Sequence, residues 1–245
     1  MTLQPIDYVN GISSIIYALI MTIVAIKIFL KYFKTKNNIF LFVGIAAIGL
    51  AEPWYPSSLS FLWNLIFQAG ITFESYVIIG NVLIPLMLLL WVWGFTNMAY
   101  PEKKKVVGII YACIGIAFEI AFFTFLVIDP KILGEFNTAS MIVRIDIEYK
   151  GFMLGYLLFI VANILITFIL FGRLSLNQME PELRIKGKFL ILAPIFWSVG
   201  AVLDTASALN PYILIITRII LVFSAFLFYF GFILPSRIKN LLIKK

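Results

Sequence analysis

The chain contains no histidine and a single cysteine among its 245 residues. Without imidazole there is no histidine-ligated zinc or haem, no serine–histidine–aspartate triad and no histidine phosphorelay within the chain itself. Cys113 lies inside an apolar run, so an internal disulfide is excluded. Charge is scarce as well: Asp, Glu, Lys and Arg together make up 13% of the residues, with only 12 acidic side chains. No G-x-S-x-G elbow, no H-E-x-x-H and no cluster of metal ligands occurs. The expectation is a protein that is not an enzyme and needs no cofactor.

What is abundant is hydrocarbon. Hydrophobic residues make up 62% of the chain, and its mean hydropathy is +1.05. Soluble domains are roughly half apolar and a quarter charged. A globule of this size in water has no interior large enough for so much apolar surface, whereas a bilayer does. A spanning helix needs about 20 mostly apolar residues. Seven stretches qualify, at about 9–31, 39–56, 75–98, 106–128, 150–172, 188–209 and 211–234. The first ten residues carry no basic n-region and lead into a run of span length, so they open span one rather than a cleavable leader. The expected fold is all-α: one domain over residues 1–245, a bundle of seven transmembrane helices. The boundary after span two is ambiguous, because an apolar run from Leu59 to Phe67 follows Glu52-Pro53-Trp54-Tyr55-Pro56. The preferred reading ends span two at Trp54 or Tyr55 and places an interfacial helix after it; the alternative is one long kinked helix.

Basic residues set the orientation. One set of connections holds Lys27, Lys31, Lys34 and Lys36; Lys103, Lys104 and Lys105; Arg173, Arg184, Lys186 and Lys188; and Arg237, Lys239, Lys244 and Lys245. The opposite set holds only Lys131, Arg144 and Lys150. This alternation predicts the N-terminus outside and the C-terminus in the cytoplasm. It also explains the net charge of +7 as topology and contact with anionic lipid, not as nucleic-acid binding. In the longest outer connection, 129–149, Val143, Ile145, Ile147 and Tyr149 alternate with Arg144, Asp146 and Glu148. That period of two, with Asn137-Thr138 as a turn, predicts a short extracellular β-hairpin between helices four and five, with a plain loop as the alternative.

Four ionisable residues lie within spans: Glu52, Glu119, Asp204 and Arg218. At 1.5 Å rise per residue, Glu52 and Glu119 sit roughly 20 Å from the cytoplasmic boundary and Arg218 about 10 Å from the outer one. All four therefore fall in the outer half. The turn Leu209-Asn210-Pro211 folds spans six and seven into a hairpin that puts Asp204 nearly opposite Arg218. A lone charge in lipid costs roughly 3 kcal/mol or more, and pairing offsets much of that. The pair is either a structural latch or part of a functional site. Glu52 and Glu119 have no evident cationic partner. Asn81, Asn163, Ser198, Thr205 and Thr217 extend a polar network or act as interhelical hydrogen-bond glue. Pro85 and Pro194 each remove a helical hydrogen bond and allow a kink. Gly151 and Gly155 form a GxxxG pair, which permits close helix packing or a homo-oligomer face. The aromatic run on span seven, Phe223 to Phe232, covers all faces of its helix, so some rings point inward. Those rings are expected to line an apolar cavity with Trp91 and Trp197.

Span six carries Pro194, Trp197 and Gly200 in a Pro-x-x-Trp-x-x-Gly pattern. Span seven reads Ser224-Ala225 and then Tyr229-Phe230-Gly231, and span three reads Pro85-Leu86-Met87-Leu88-Leu89. In these segments, about a third of the chain, the sequence resembles microbial rhodopsins. The resemblance places Phe226 where that family has its retinal-linking lysine. It puts Ile79, Leu90 and Val222 where pumps carry carboxylates or a counter-ion. No lysine lies mid-membrane, so covalent retinal is excluded, and the kinship implies an opsin-related protein without chromophore. Phe230 to Pro235, followed by basic residues, is also similar to the exit of seven-helix sensor regions that precede histidine kinases. That likeness implies a separate cytoplasmic signalling partner.

The leading expectation is a receptor- or sensor-like, multi-pass protein of the cell membrane. It would bind a small amphipathic or lipid-like ligand in the outer half of the bundle, at Glu52, Trp91, Glu119, Trp197, Asp204, Arg218 and Phe226. One alternative is a proton or ion pathway or small-solute transporter using Glu52, Glu119 and Asp204; another is a structural protein in which the charges are latches.

Overall fold

Apolar runs of span length can satisfy their backbone in a bilayer only by coiling into helices, and the chain does so throughout. A computed structural model describes residues 3–136, 144–206 and 211–243. The helices are α1 (Pro5–Thr35), α2 (Asn38–Gly49), α3 (Tyr55–Phe67), α4 (Phe73–Asn81), α5 (Ile84–Ala99), α6 (Lys104–Ile128), α7 (Gly151–Leu176), α8 (Pro181–Ala206), α9 (Pro211–Ile233) and α10 (Ser236–Leu242). Taken together as continuous segments, they make seven stretches long and apolar enough to cross a membrane. The protein is a multi-pass membrane protein with an all-α, seven-helix bundle.

Two of the seven spans are broken. In the second, α2 passes through a 3-10 turn, Glu52–Trp54, into α3. Pro53 has no N–H for the helix ladder, and Trp54 N–H turns instead to Ala51 at 3.0 Å. The chain nevertheless continues along α1: Gly44 meets Phe29, Tyr17 bonds Leu50, and Gly11 meets Phe61. The expected interfacial helix after Trp54 is therefore replaced by the alternative, one long kinked helix lying antiparallel to α1. The reason is that α3 has an inward face of its own, with Ser57, Ser60, Phe61 and Asn64 all buried. In the third span, α4 and α5 are separated at Val82-Leu83, just ahead of Pro85. Pro194, by contrast, leaves α8 uninterrupted.

Around the bundle, α1 packs on α2, α3 and α9; α2 packs on α5; α5 packs on α6 and α7; and α7, α8 and α9 follow in sequence. Ring contacts bridge α6 and α7, chiefly Phe118 stacked on Tyr156 at 3.7 Å. At one end, β1 (Gly134–Phe136) pairs antiparallel with β2 (Ile147–Tyr149), Phe136 opposite Ile147. The hairpin exists, but its second strand is shorter than the alternation implied. Ile145 lies outside the strand, and Val143 and the Asn137-Thr138 turn lie outside the described residues. So do Leu209 and Asn210 of the turn between spans six and seven. Tyr76 Oη donates to Ile145 O (3.0 Å) and Asn81 Nδ2 to Tyr149 Oη (2.8 Å), which pins the hairpin across the bundle end.

At the opposite end α7 and α8 touch through glycines. A Cβ on Gly187 would lie 2.7 Å from Gly172 O, and one on Gly172 would lie 2.9 Å from Gly187 O. Nothing stands within 4 Å of a Cβ on Gly155, further along α7. Gly187→Ala should therefore force the helices apart and cost about 1–3 kcal/mol, the usual penalty of overpacking. Gly155→Ala should be neutral or stabilising. Thermal unfolding of both variants in detergent micelles measures the difference.

Candidate functional site

Arg218 on α9 is 5% exposed, and its charge has to be met inside the bundle. Nη1 donates to Asp204 Oδ2 on α8 at 2.8 Å, and Nη2 donates to Asn10 Oδ1 on α1 at 3.0 Å. Trp54 Nε1, in the 3-10 turn, donates to the same Asp204 oxygen at 2.8 Å, and its ring lies under the guanidinium. Ser14, one helical turn from Asn10, donates to Asn10 Oδ1 at 3.2 Å. Four elements are thus joined by one hydrogen-bonded network around a single ion pair. The break in span two contributes to it. With Trp54 N–H turned to Ala51, the Leu50 carbonyl accepts instead from Tyr17 Oη (3.0 Å) and Trp197 Nε1 (3.2 Å).

Toward the lysine-rich end the interior becomes aromatic. Trp91 lies flat on Phe168 at 3.7 Å, and its Nε1 donates to Thr167 Oγ1 at 2.7 Å. Phe228 and Phe232, one turn apart on α9, meet Phe168 edge-on. Between the polar network and these rings lies a cavity of about 310 Å³. Ser57, Tyr76, Tyr149, Asp204, Thr205 and Arg218 line one end; Trp91, Phe168, Phe228 and Phe232 line the other. Burial pushes the Tyr149 phenol up from its ordinary value, so it remains a neutral hydroxyl at that polar end.

Comparison with protein-family models, with curated proteins and with solved structures found no match. The geometry alone has to carry the functional reading.

Of the residues singled out in the sequence, Trp91, Trp197, Asp204 and Arg218 line the cavity. Glu52, Glu119 and Phe226 do not. Phe226 is 44% exposed and faces away from the bundle, because Ala225 and Phe228 occupy the inward positions of α9. Glu52 is buried at the break in span three, where its Oε1 accepts the Leu83 N–H at 2.7 Å. Among the described residues, Glu52 Oε2, Glu119 Oε2 and Asn81 Oδ1 have no hydrogen-bond partner. Asn163 bonds Tyr111, and Thr205 returns to its own helix at Ala201 O (3.0 Å). The Ser198 and Thr217 hydroxyls have no partner among the described residues.

Sequence reasoning missed Asn10, Ser57, Tyr76, Tyr149 and Phe168. Asn10 and Ser14, four residues apart, form a polar stripe on span one that could have been found from helical spacing. Tyr149 stood out only as part of a strand pattern, which says nothing of what it covers.

Arg218→Met should destabilise the protein by about 3–5 kcal/mol, because it leaves Asp204 without its cation. The double variant with Asp204→Asn should recover part of that loss, as interacting pairs do. Thermal unfolding in micelles reads both, and strictly additive losses would refute the coupling.

Proposed function

We propose that the protein is a receptor- or sensor-like membrane protein that holds a small amphipathic or lipid-like ligand inside its bundle. The observation that carries this reading is the cavity of about 310 Å³, with its polar groups gathered at one end and aromatic rings at the other. Such a division suits a molecule with a polar head and an apolar body, because each part finds its own medium. The reading assigns no catalytic role. It places the hairpin end outside the cell membrane and the lysine-rich end in the cytoplasm, on the distribution of basic residues. At that lysine-rich end Glu182 bridges Lys186 and Lys239 (2.6 Å to the latter), tying α8 to α10. Movement of α8 and α9 around a ligand would reach this surface, where a separate signalling partner would read it.

A second reading, a proton or ion pathway, is favoured by one observation: the oxygens of Glu52 and Glu119 that lack partners beside a helix break. Intramembrane carboxylates of this kind mark relays. Proteoliposome flux separates the two readings, since a proton leak abolished by Glu119→Gln would favour the pathway.

Two outcomes are expected of the leading reading. Solvent extraction of the purified protein, followed by mass spectrometry, should show one amphiphile enriched over bulk lipid. The enrichment should be lost in Ala47→Phe, which fills the cavity wall; equal yields from both proteins would refute the reading. Alkaline phosphatase fused after Ile132 should be active in cells, and the same fusion after Lys103 inactive.

A further inference from the structure

Among the described residues, side chains wall both ends of the cavity. β2 lies across one end, where Ile147 and Tyr149 line the cavity and Tyr76 and Asn81 hold the hairpin down. At the other end Phe228 and Phe232 form the floor, and α7 and α8 meet backbone to backbone at Gly172 and Gly187. The side is different. Leu158 on α7 and Val202 on α8 line the cavity, yet they are 50% and 46% exposed on the outside of the bundle. Thr205, one turn from Val202, is exposed and lines it too. A residue that is both wall and outer surface marks the lip of an opening. The two helices that touch at their glycines therefore leave a gap nearer the hairpin, at Leu158 and Val202. Leu158 lies roughly 10 Å along α7 from its start at 1.5 Å per residue, within the apolar stretch of that span. The opening faces lipid, not water.

The shape and charge of the cavity restrict what can enter. From Arg218 to Phe232 it runs roughly 20 Å along α9 at 1.5 Å per residue. A volume of about 310 Å³ drawn out over that length suits one extended chain rather than a compact solute. At the polar end the charge of Arg218 is already met by Asp204, and its second terminal nitrogen is engaged by Asn10. An anionic head would compete with Asp204 for the guanidinium, whose remaining donor, Nε, is buried and has no hydrogen-bond partner among the described residues. Among the described residues a neutral carbonyl finds the Tyr149 O–H, whose oxygen accepts from Asn81; the Tyr76 O–H is already given to Ile145 O, and Ser57 is bonded to Tyr76.

We infer that the ligand is a long, single-chain neutral lipid with an oxygen-bearing head, and that it enters sideways from the bilayer between α7 and α8. This rests on the cavity being the binding site. A Leu158→Phe/Val202→Phe variant closes the lip with side chains that already face lipid, so its thermal unfolding should match that of the unaltered protein.

The test uses the full chain in phosphatidylcholine nanodiscs. The probe is a brominated long-chain alcohol, whose bromine quenches the indoles of Trp91 and Trp197 on contact. Saturable quenching, relieved by the unbrominated alcohol, is expected. The brominated fatty acid of equal length should bind about tenfold more weakly, a difference of about 1.4 kcal/mol. The lip variant should show an onset slowed about tenfold. If the variant fills as fast as the unaltered protein, lateral entry is wrong while the cavity stands. If the fatty acid binds as well as the alcohol, the neutral head is wrong. If neither probe quenches saturably in any variant, the cavity reading itself fails.

Discussion

A guanidinium inside a membrane protein constrains everything around it. Arg218 is buried near one end of a bundle whose interior is otherwise mostly hydrocarbon, and nothing there solvates it except what neighbouring helices bring. Asp204 answers from α8, Asn10 from α1 and Trp54 from the broken second span. These partners converge only if the helices carrying them lie side by side at the right depth. The network therefore acts as a registration device: a slide of one helix by a single turn would leave a charge uncompensated. Buried ion pairs are not generally a net source of stability, but losing one partner is costly. That asymmetry makes the pair a discriminator among packings.

The two broken spans follow a related logic. A helix that stops hydrogen-bonding to itself inside lipid needs other partners for its freed groups. In span two the Leu50 carbonyl is taken up by Tyr17 and Trp197. In span three the Leu83 N–H is taken up by Glu52, which sits at the break in span two. The defects are adjacent, and a side chain at the first answers the second. Glu52 is thus tied to backbone repair. Irregular backbone of this kind is tolerated only where protein or a cavity surrounds it, and here it borders the cavity wall at Pro53, Trp54 and Ile84.

The cavity arises from two incompatible packing demands along α7 and α8. At one end the missing side chains of Gly172 and Gly187 let the backbones touch. At the other, Leu154, Leu158 and Val202 line the cavity, and β2 lies across its end. Aromatic rings stacked on one another, Trp91 on Phe168, keep the floor from collapsing into the space. A wedge-shaped space with a polar rim and a lipid-facing side follows from these few contacts.

The number of spans, their approximate limits and the pairing of Asp204 with Arg218 were legible in the sequence. Each rests on local quantities: hydropathy over about 20 residues, rise per residue, and a tight turn that forces antiparallel neighbours. The hairpin was legible in part, since alternation marks a strand but not the partner that completes it. Trp91 and Trp197 were picked out because large rings on apolar helices tend inward. Phe226 was not separable from Phe228, because a helix that is aromatic on all sides gives no periodicity to read. The continuation of span two past its prolines, the repair of the third span's break by Glu52, the role of Asn10 and the sideways opening were decided by tertiary structure alone. Each depends on which helices become neighbours and how far apart they stand, a relation between distant parts of the chain that no local pattern encodes.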